Sequence, residues 1–247
     1  DTSENSMANT YETSSGFHTD TWLGTQQLGS SGLDQSWGIA IDNSSNIYVT
    51  GYTNGSLDGN TLLGGYDALL IKYNSSGIKQ WTKQFGSSQS DRGLDVTVDS
   101  SDNIYVTGTT YGGLAGGSAA GYQDIFLMKF NSSGTKQWTS QLGDITYDRG
   151  RGVVVDSSNN IYVTGSSDRG LDGNTSSGYF DIILVKFYDN GTKQWTKQWG
   201  TGSNDYGLGV TVDSSDNIYV TGSTDGGLDN NTNLGSHDII LVKYNSS

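Results

Sequence analysis

Aspartate supplies nearly all the acid of this chain, since Glu occurs only at Glu4 and Glu12. Three aspartate positions recur every 57 residues: Asp34, Asp91, Asp148 and Asp205; Asp42, Asp99, Asp156 and Asp213; Asp67, Asp124, Asp181 and Asp238. Two chemistries fit such carboxylates. One is structural, because Asp accepts hydrogen bonds from loop N–H groups and fixes turns. The other is calcium binding, since hard cations take several carboxylate, amide and carbonyl oxygens. Asp58 and Asn60 with Asp67 offer such oxygens on a Gly-rich path, Asp172 and Asn174 with Asp181 repeat them, and Asp229 and Asn231 with Asp238 nearly do. The second copy carries Ala115 and Gly117 there and is expected to lack a site. No EF-hand spacing is present. The same loops carry Tyr66, Tyr122 and Tyr179, with His237 near the corresponding place in the fourth copy. Such rings can stack on a sugar or pack between structural units. Arg92 and Arg149 follow the first Asp set and are expected to pair with neighbouring aspartates.

Other chemistries are narrowed by composition. The 247 residues contain no cysteine, which removes disulfides, thiolate metal sites and cysteine nucleophiles. Two histidines, His18 and His237, leave little for a His-based zinc site or an acid/base relay. The net charge of −13 disfavours a nucleic-acid partner. No apolar run approaches the ~18 residues of a membrane span. Two Asp carboxylates could serve a glycosidase. A catalytic site, however, usually breaks repeat symmetry, and no loop here stands apart, so the chain reads as not an enzyme.

The positioning elements follow from the repeat. Asn-Ile-Tyr-Val-Thr-Gly ends at Gly51, Gly108, Gly165 and Gly222, and Lys72, Lys129, Lys186 and Lys243 close a second block at the same spacing. Nothing is inserted or deleted between copies. In the second copy four strands are predicted. Leu94–Asp99 is joined by a polar turn to the β-branched Ile104–Thr107. A Gly-rich loop then leads to the apolar Asp124–Phe130, and Asn131–Gly134 turns the chain into the polar Thr135–Leu142. No stretch has capped helical periodicity. The expected class is all-β: a β-propeller with four four-stranded antiparallel blades of 57 residues. The third strand is apolar on both faces, as expected between two neighbouring blades, and the fourth is the polar rim. A stacked β-solenoid is the alternative. The first and third Asp sets are expected on one face of the propeller and the hairpin set on the other.

Residues 1–21 read as a polar arm and 22–247 as the propeller domain. The chain stops at Ser247 before a fourth strand of its last copy, while a lone fourth-strand equivalent, Gly24–Gly29, stands at the other end. The last blade is therefore expected to be completed by that N-terminal strand, in the same chain or from another subunit. The second case gives a ring or a head-to-tail filament, and two chains sharing eight blades is a further option. Asp1 rather than Met fits signal-peptide removal. Asn-x-Ser/Thr sequons at Asn43, Asn54, Asn74, Asn131, Asn174, Asn190, Asn230 and Asn245 fall in expected turns and are possible glycan sites.

The run Asp-Arg-Gly-Leu-Asp-Val-Thr-Val-Asp-Ser-Ser-Asp-Asn-Ile-Tyr-Val-Thr-Gly, from Asp91 to Gly108, resembles the SBBP repeat, a β-propeller family of bacterial and archaeal surface or secreted proteins, and also the related NHL hairpin. Leu57–Thr61 and Leu171–Thr175 are similar to the same family. The resemblance covers about residues 22–247. It implies a propeller and an extracellular or cell-surface place, and it is weak on activity because most members have none assigned. The leading reading is a non-enzymatic extracellular structural or adhesion scaffold that self-assembles by strand exchange. The alternative is a calcium-dependent or carbohydrate-binding propeller module.

Overall fold

The computed structural model describes residues 24–114 and 119–245. The polar arm, Ala115 and Gly117 lie outside the described residues. Among the described residues fifteen strands form four consecutive antiparallel sheets. The first holds β1 (Asp34–Ile41), β2 (Ile47–Thr53), β3 (Asp67–Tyr73) and β4 (Lys79–Phe85). The second holds β5 (Asp91–Val98), β6 (Ile104–Thr110), β7 (Asp124–Phe130) and β8 (Lys136–Leu142). The third holds β9 (Asp148–Val155), β10 (Ile161–Ser167), β11 (Asp181–Phe187) and β12 (Lys193–Trp199). The fourth holds β13 (Asp205–Val212), β14 (Ile218–Thr224) and β15 (Asp238–Tyr244). Helix is confined, among the described residues, to two three-residue 3-10 turns, Leu171–Gly173 and Leu228–Asn230.

Successive sheets face one another through their first strands, with β1 against β5, β5 against β9 and β9 against β13. Each junction encloses its own thin apolar layer. Leu70, Val96 and Phe126 meet between the first two blades, Ile125, Val153 and Ile183 between the next two, and Ile182, Leu184 and Val220 between the last two. Every residue of β7 and β11 is buried, because each of these strands is covered on both faces by neighbouring blades. Only 32 % of the chain is hydrophobic, and thin layers are how so little apolar material suffices.

Glycine sets the bend of each blade. The pairing of first and second strands slips at Ser36/Gly38, Gly93/Asp95, Gly150/Gly152 and Gly207/Gly209, a β-bulge in every blade. Opposite each bulge the backbone carbonyl of the preceding residue presses on a second-strand glycine. A Cβ on Gly165 would lie 1.7 Å from the Arg149 carbonyl oxygen, so only glycine fits.

The all-β architecture of four consecutive antiparallel blades is the one the repeat predicts. Among the described residues β15 pairs only with β14. Residues of Gly24–Leu28 border, with Ile39, Val49, Ile71 and Tyr73 of the first blade, a cavity of about 430 Å³.

Candidate functional site

The hairpin aspartates act as turn clasps. Asp156 accepts from the N–H groups of Ser158 (2.9 Å) and Asn160 (2.8 Å), from the Asn160 side-chain amide (2.8 Å) and from the buried Tyr162 hydroxyl (3.0 Å). Asp42, Asp99 and Asp213 repeat the same four bonds. The turns place Ser45, Asp102, Asn159 and Asp216 in the left-handed region that short polar residues tolerate. Hydrogen bonds from the Asn217 side chain pull the Asp213 carboxyl down to about 2.

The other two Asp sets come together at the blade junctions. A point one bond out from Gly200 lies 2.4 Å from Asp181 Oδ1 and 2.8 Å from Asp205 Oδ2. Gly86 stands in the same relation to Asp67 and Asp91. In each such pair one oxygen is well held. Asp148 Oδ2 accepts the Asp144 N–H at 2.7 Å, and Asp124 Oδ2 accepts from Gln141 Nε2 at 2.7 Å. The Oδ1 atoms of Asp91, Asp124, Asp148, Asp181 and Asp205 are buried and have no hydrogen-bond partner. Burial pushes the Asp148 carboxyl up to about 7, and the charges of Asp144 and Asp124 add to the rise. Burial likewise raises Asp91.

The loop triples suggested for calcium are engaged elsewhere. Asp58 accepts from Lys79 and Thr82, whereas Asp67 accepts the Leu63 N–H and Gln84 Nε2. Asp172 is likewise held by Lys193 and Thr196, and Asp181 by the Ser177 N–H and Gln198. Asn60, Asn174 and Asn231 donate their amides to the carbonyls of Leu57, Leu171 and Leu228. Asp58, Asp172 and Asp229 have left-handed backbones that shape these turns. Asp229 is exposed, and Asp238 accepts the Leu234 N–H. Among the described residues no three acidic or histidine side chains gather at one point.

The three tyrosines divide. Tyr66 packs edge-on against Tyr52, with the Arg92 guanidinium 5.1 Å from both rings. Tyr122, stacked on Tyr147 at 5.4 Å, and Tyr179 are exposed. The reason is register: Tyr66 stands one place later in the 57-residue repeat than Tyr122 and Tyr179, and one step along a strand changes the face. His237 is exposed and lies against Asp225.

The expectation that Arg92 and Arg149 pair with aspartates is also corrected. Among the described residues no arginine forms an ion pair. Arg92 is wedged between tyrosines, and Arg149 lies over Phe180 at 5.1 Å, with its Nε donating to Gln123 Oε1 at 2.8 Å. Arginine's flat, weakly hydrated ion stacks on rings readily, while the nearby aspartates are turned to loop N–H groups. Arg151 joins them, one bulge further along β9, and was not anticipated. Its sequence signal is a departure from the repeat: Trp37, Leu94 and Leu208 occupy the same place in the other copies.

Comparison with known proteins fits this architecture. The beta-propeller repeat family SBBP matches at residues 23–58, 80–115, 137–172 and 194–229. "Regulatory protein FlaEY" of Caulobacter vibrioides is 26 % identical over 202 residues, covering 73 % of this chain and 21 % of that protein. "Uncharacterized WD repeat-containing protein L264" of Acanthamoeba polyphaga mimivirus is 25 % identical over 181 residues, covering 58 % of this chain and 13 % of that protein. The chain thus spans a small part of both relatives. A crystal structure of a protein of unknown function from Dyadobacter fermentans superposes with a TM-score of 0.51 at 8 % identity, over 83 % of this chain and 63 % of that one.

Proposed function

The chain belongs to the SBBP family of β-propeller repeats, and from that premise we propose that it is a non-enzymatic extracellular scaffold whose blades pack head-to-tail on those of a second copy. One observation carries this reading. Ile39 on β1 is 67 % exposed, while its repeat equivalents Val96 and Val153 are each 4 % exposed at blade junctions. At the other end Ile239 is 91 % exposed, whereas its equivalents Ile182 and Ile125 are buried against the following blade. Leu241 stands likewise exposed where Leu184 and Leu127 are buried. The two ends are the two halves of a junction that the chain already makes three times. Contiguous apolar surface of this kind marks an interaction site. Among the described residues β15 pairs only with β14, and the edge beside this patch is where a strand from a partner would add. The non-enzymatic part of the proposal has separate support: the paired junction carboxyls are buried, beyond reach of a substrate bond.

Light scattering on the eluting 247-residue chain should give a multiple of 26.4 kDa. Replacing both Ile239 and Leu241 by Glu should return it to a single copy without loss of β-sheet signal. A wild-type mass of one copy at all concentrations would remove the self-assembly. Surface labelling of intact cells tests the location.

A further inference from the structure

A second feature is independent of end-to-end packing. The protein carries a net charge of −13 and only four arginines, yet three of them line one cavity of about 190 Å³. Three blades build it. The first gives Trp37 and Tyr52, the second Arg92 and Tyr111, and the third Arg149 and Arg151. The arginines stand on the first strands of their blades, and they break a repeat that elsewhere runs without insertion or deletion. At the Arg92 and Arg149 place the other copies carry Gln35 and Tyr206, and at the Arg151 place they carry Trp37, Leu94 and Leu208.

The cluster is poised and uncompensated. Arg92 is clamped between Tyr52 and Tyr66, and Arg149 is fixed by Phe180 and Gln123. The Nε atoms of Arg92 and Arg151 are buried and have no acceptor. Burial, and then the charge of Arg149, makes Arg151 a less comfortable cation than usual. Gathering like charges with free N–H donors, when acidic residues are plentiful in the sequence, leaves an opening for an anion from outside. The forked guanidinium suits planar or tetrahedral oxyanions. Beside it Trp37, 57 % exposed, offers a broad ring face at the rim.

We propose that this cavity binds one carboxylate or phosphate group carried on a small ring, with Arg92, Arg149 and Arg151 holding the anion and Trp37 and Tyr111 stacking on the ring.

Calorimetric titration of the full chain with glucuronate, glucose 6-phosphate, glucose and inorganic phosphate tests it. At least one of the two charged sugars should bind, with affinity that falls as salt is raised, and glucose should not. The preferred charged sugar identifies carboxylate or phosphate as the anion. Arg151→Leu restores the residue that two other copies carry. It should weaken binding about tenfold or more with an unchanged melting curve. Should that variant fail to fold, Arg149→Gln, which matches Gln35 in the first copy, takes its place. Absence of binding by both charged sugars, equal binding of glucose, or binding unaltered in the folded arginine variant would overturn the proposal. Inorganic phosphate binding as tightly as both sugars would overturn the role given to Trp37 and Tyr111.

Discussion

Replacing Asp148 by asparagine should stabilise the protein at pH 8 and leave it no more stable at pH 4. The side chain is fully buried; one oxygen is held by the Asp144 N–H, and the other has no partner. Its carboxyl is raised to about 7 from an ordinary 3.8. Between those values the folded chain keeps a proton that the unfolded chain has released. Stability from this group is therefore full below about pH 4, falls as pH rises to about 7, and is flat above. The full difference is about 4 kcal/mol, at roughly 1.4 kcal/mol per pH unit. Asparagine keeps the shape and removes the charge, and its amide brings a donor beside the Asp124 carboxylate. Relaxation around the wild-type charge reduces the gain, so about 1–3 kcal/mol is expected at pH 8, or roughly 3–10 °C in Tm for a domain of this size. Circular-dichroism melts of both proteins at pH 4, 6 and 8 give the answer. The comparison cancels groups such as Asp213, held at about 2, whose contribution has the opposite sign and is lost only in stronger acid. A variant that melts below wild type at pH 8, or a Tm difference that does not change with pH, would refute the reasoning.

Two further substitutions probe the frame itself. Asp156→Ala removes the acceptor of four hydrogen bonds, including that of the buried Tyr162 hydroxyl, and should cost about 3 kcal/mol in urea titration, against about 1 kcal/mol for Tyr162→Phe. Gly165→Ala drives a methyl into the Arg149 carbonyl and should cost about 3 kcal/mol or prevent folding, whereas Gly202→Ala, with nothing within 4 Å of the added carbon, should change stability by less than about 0.5 kcal/mol.

The architecture was legible because the repeat is written in residues whose roles are local. Ile104 begins β6, and Asp124 and Phe130 bound β7, where the apolar and turn residues put them. β5 starts at Asp91, three residues before the Leu94 that the apolar pattern marks, since Asp-Arg-Gly carries no apolar alternation and leads into a bulge. Asp148 could be read as a loop-face carboxylate, but the burial that raises it exists only once neighbouring blades pack. The arginine cavity was missed for a similar reason. Arg92 and Arg149 each follow an aspartate in the chain, and their packing against Tyr52, Tyr66 and Phe180, like the approach of Arg151, exists only after blades assemble. Loop residues such as Asp58 looked free for a cation because the partnership with Lys79, across a whole strand, leaves no mark in local spacing.

The bulges and the unbroken 57-residue pitch have a consequence for how such a chain can change length. Removing or adding one whole copy at the same point of the repeat leaves every remaining joint with the partner residues it had before. Taking out one residue within a strand turns each side chain beyond it to the opposite face. Growth or loss by complete modules is thus the mild route for this gene, and single-codon slippage the severe one.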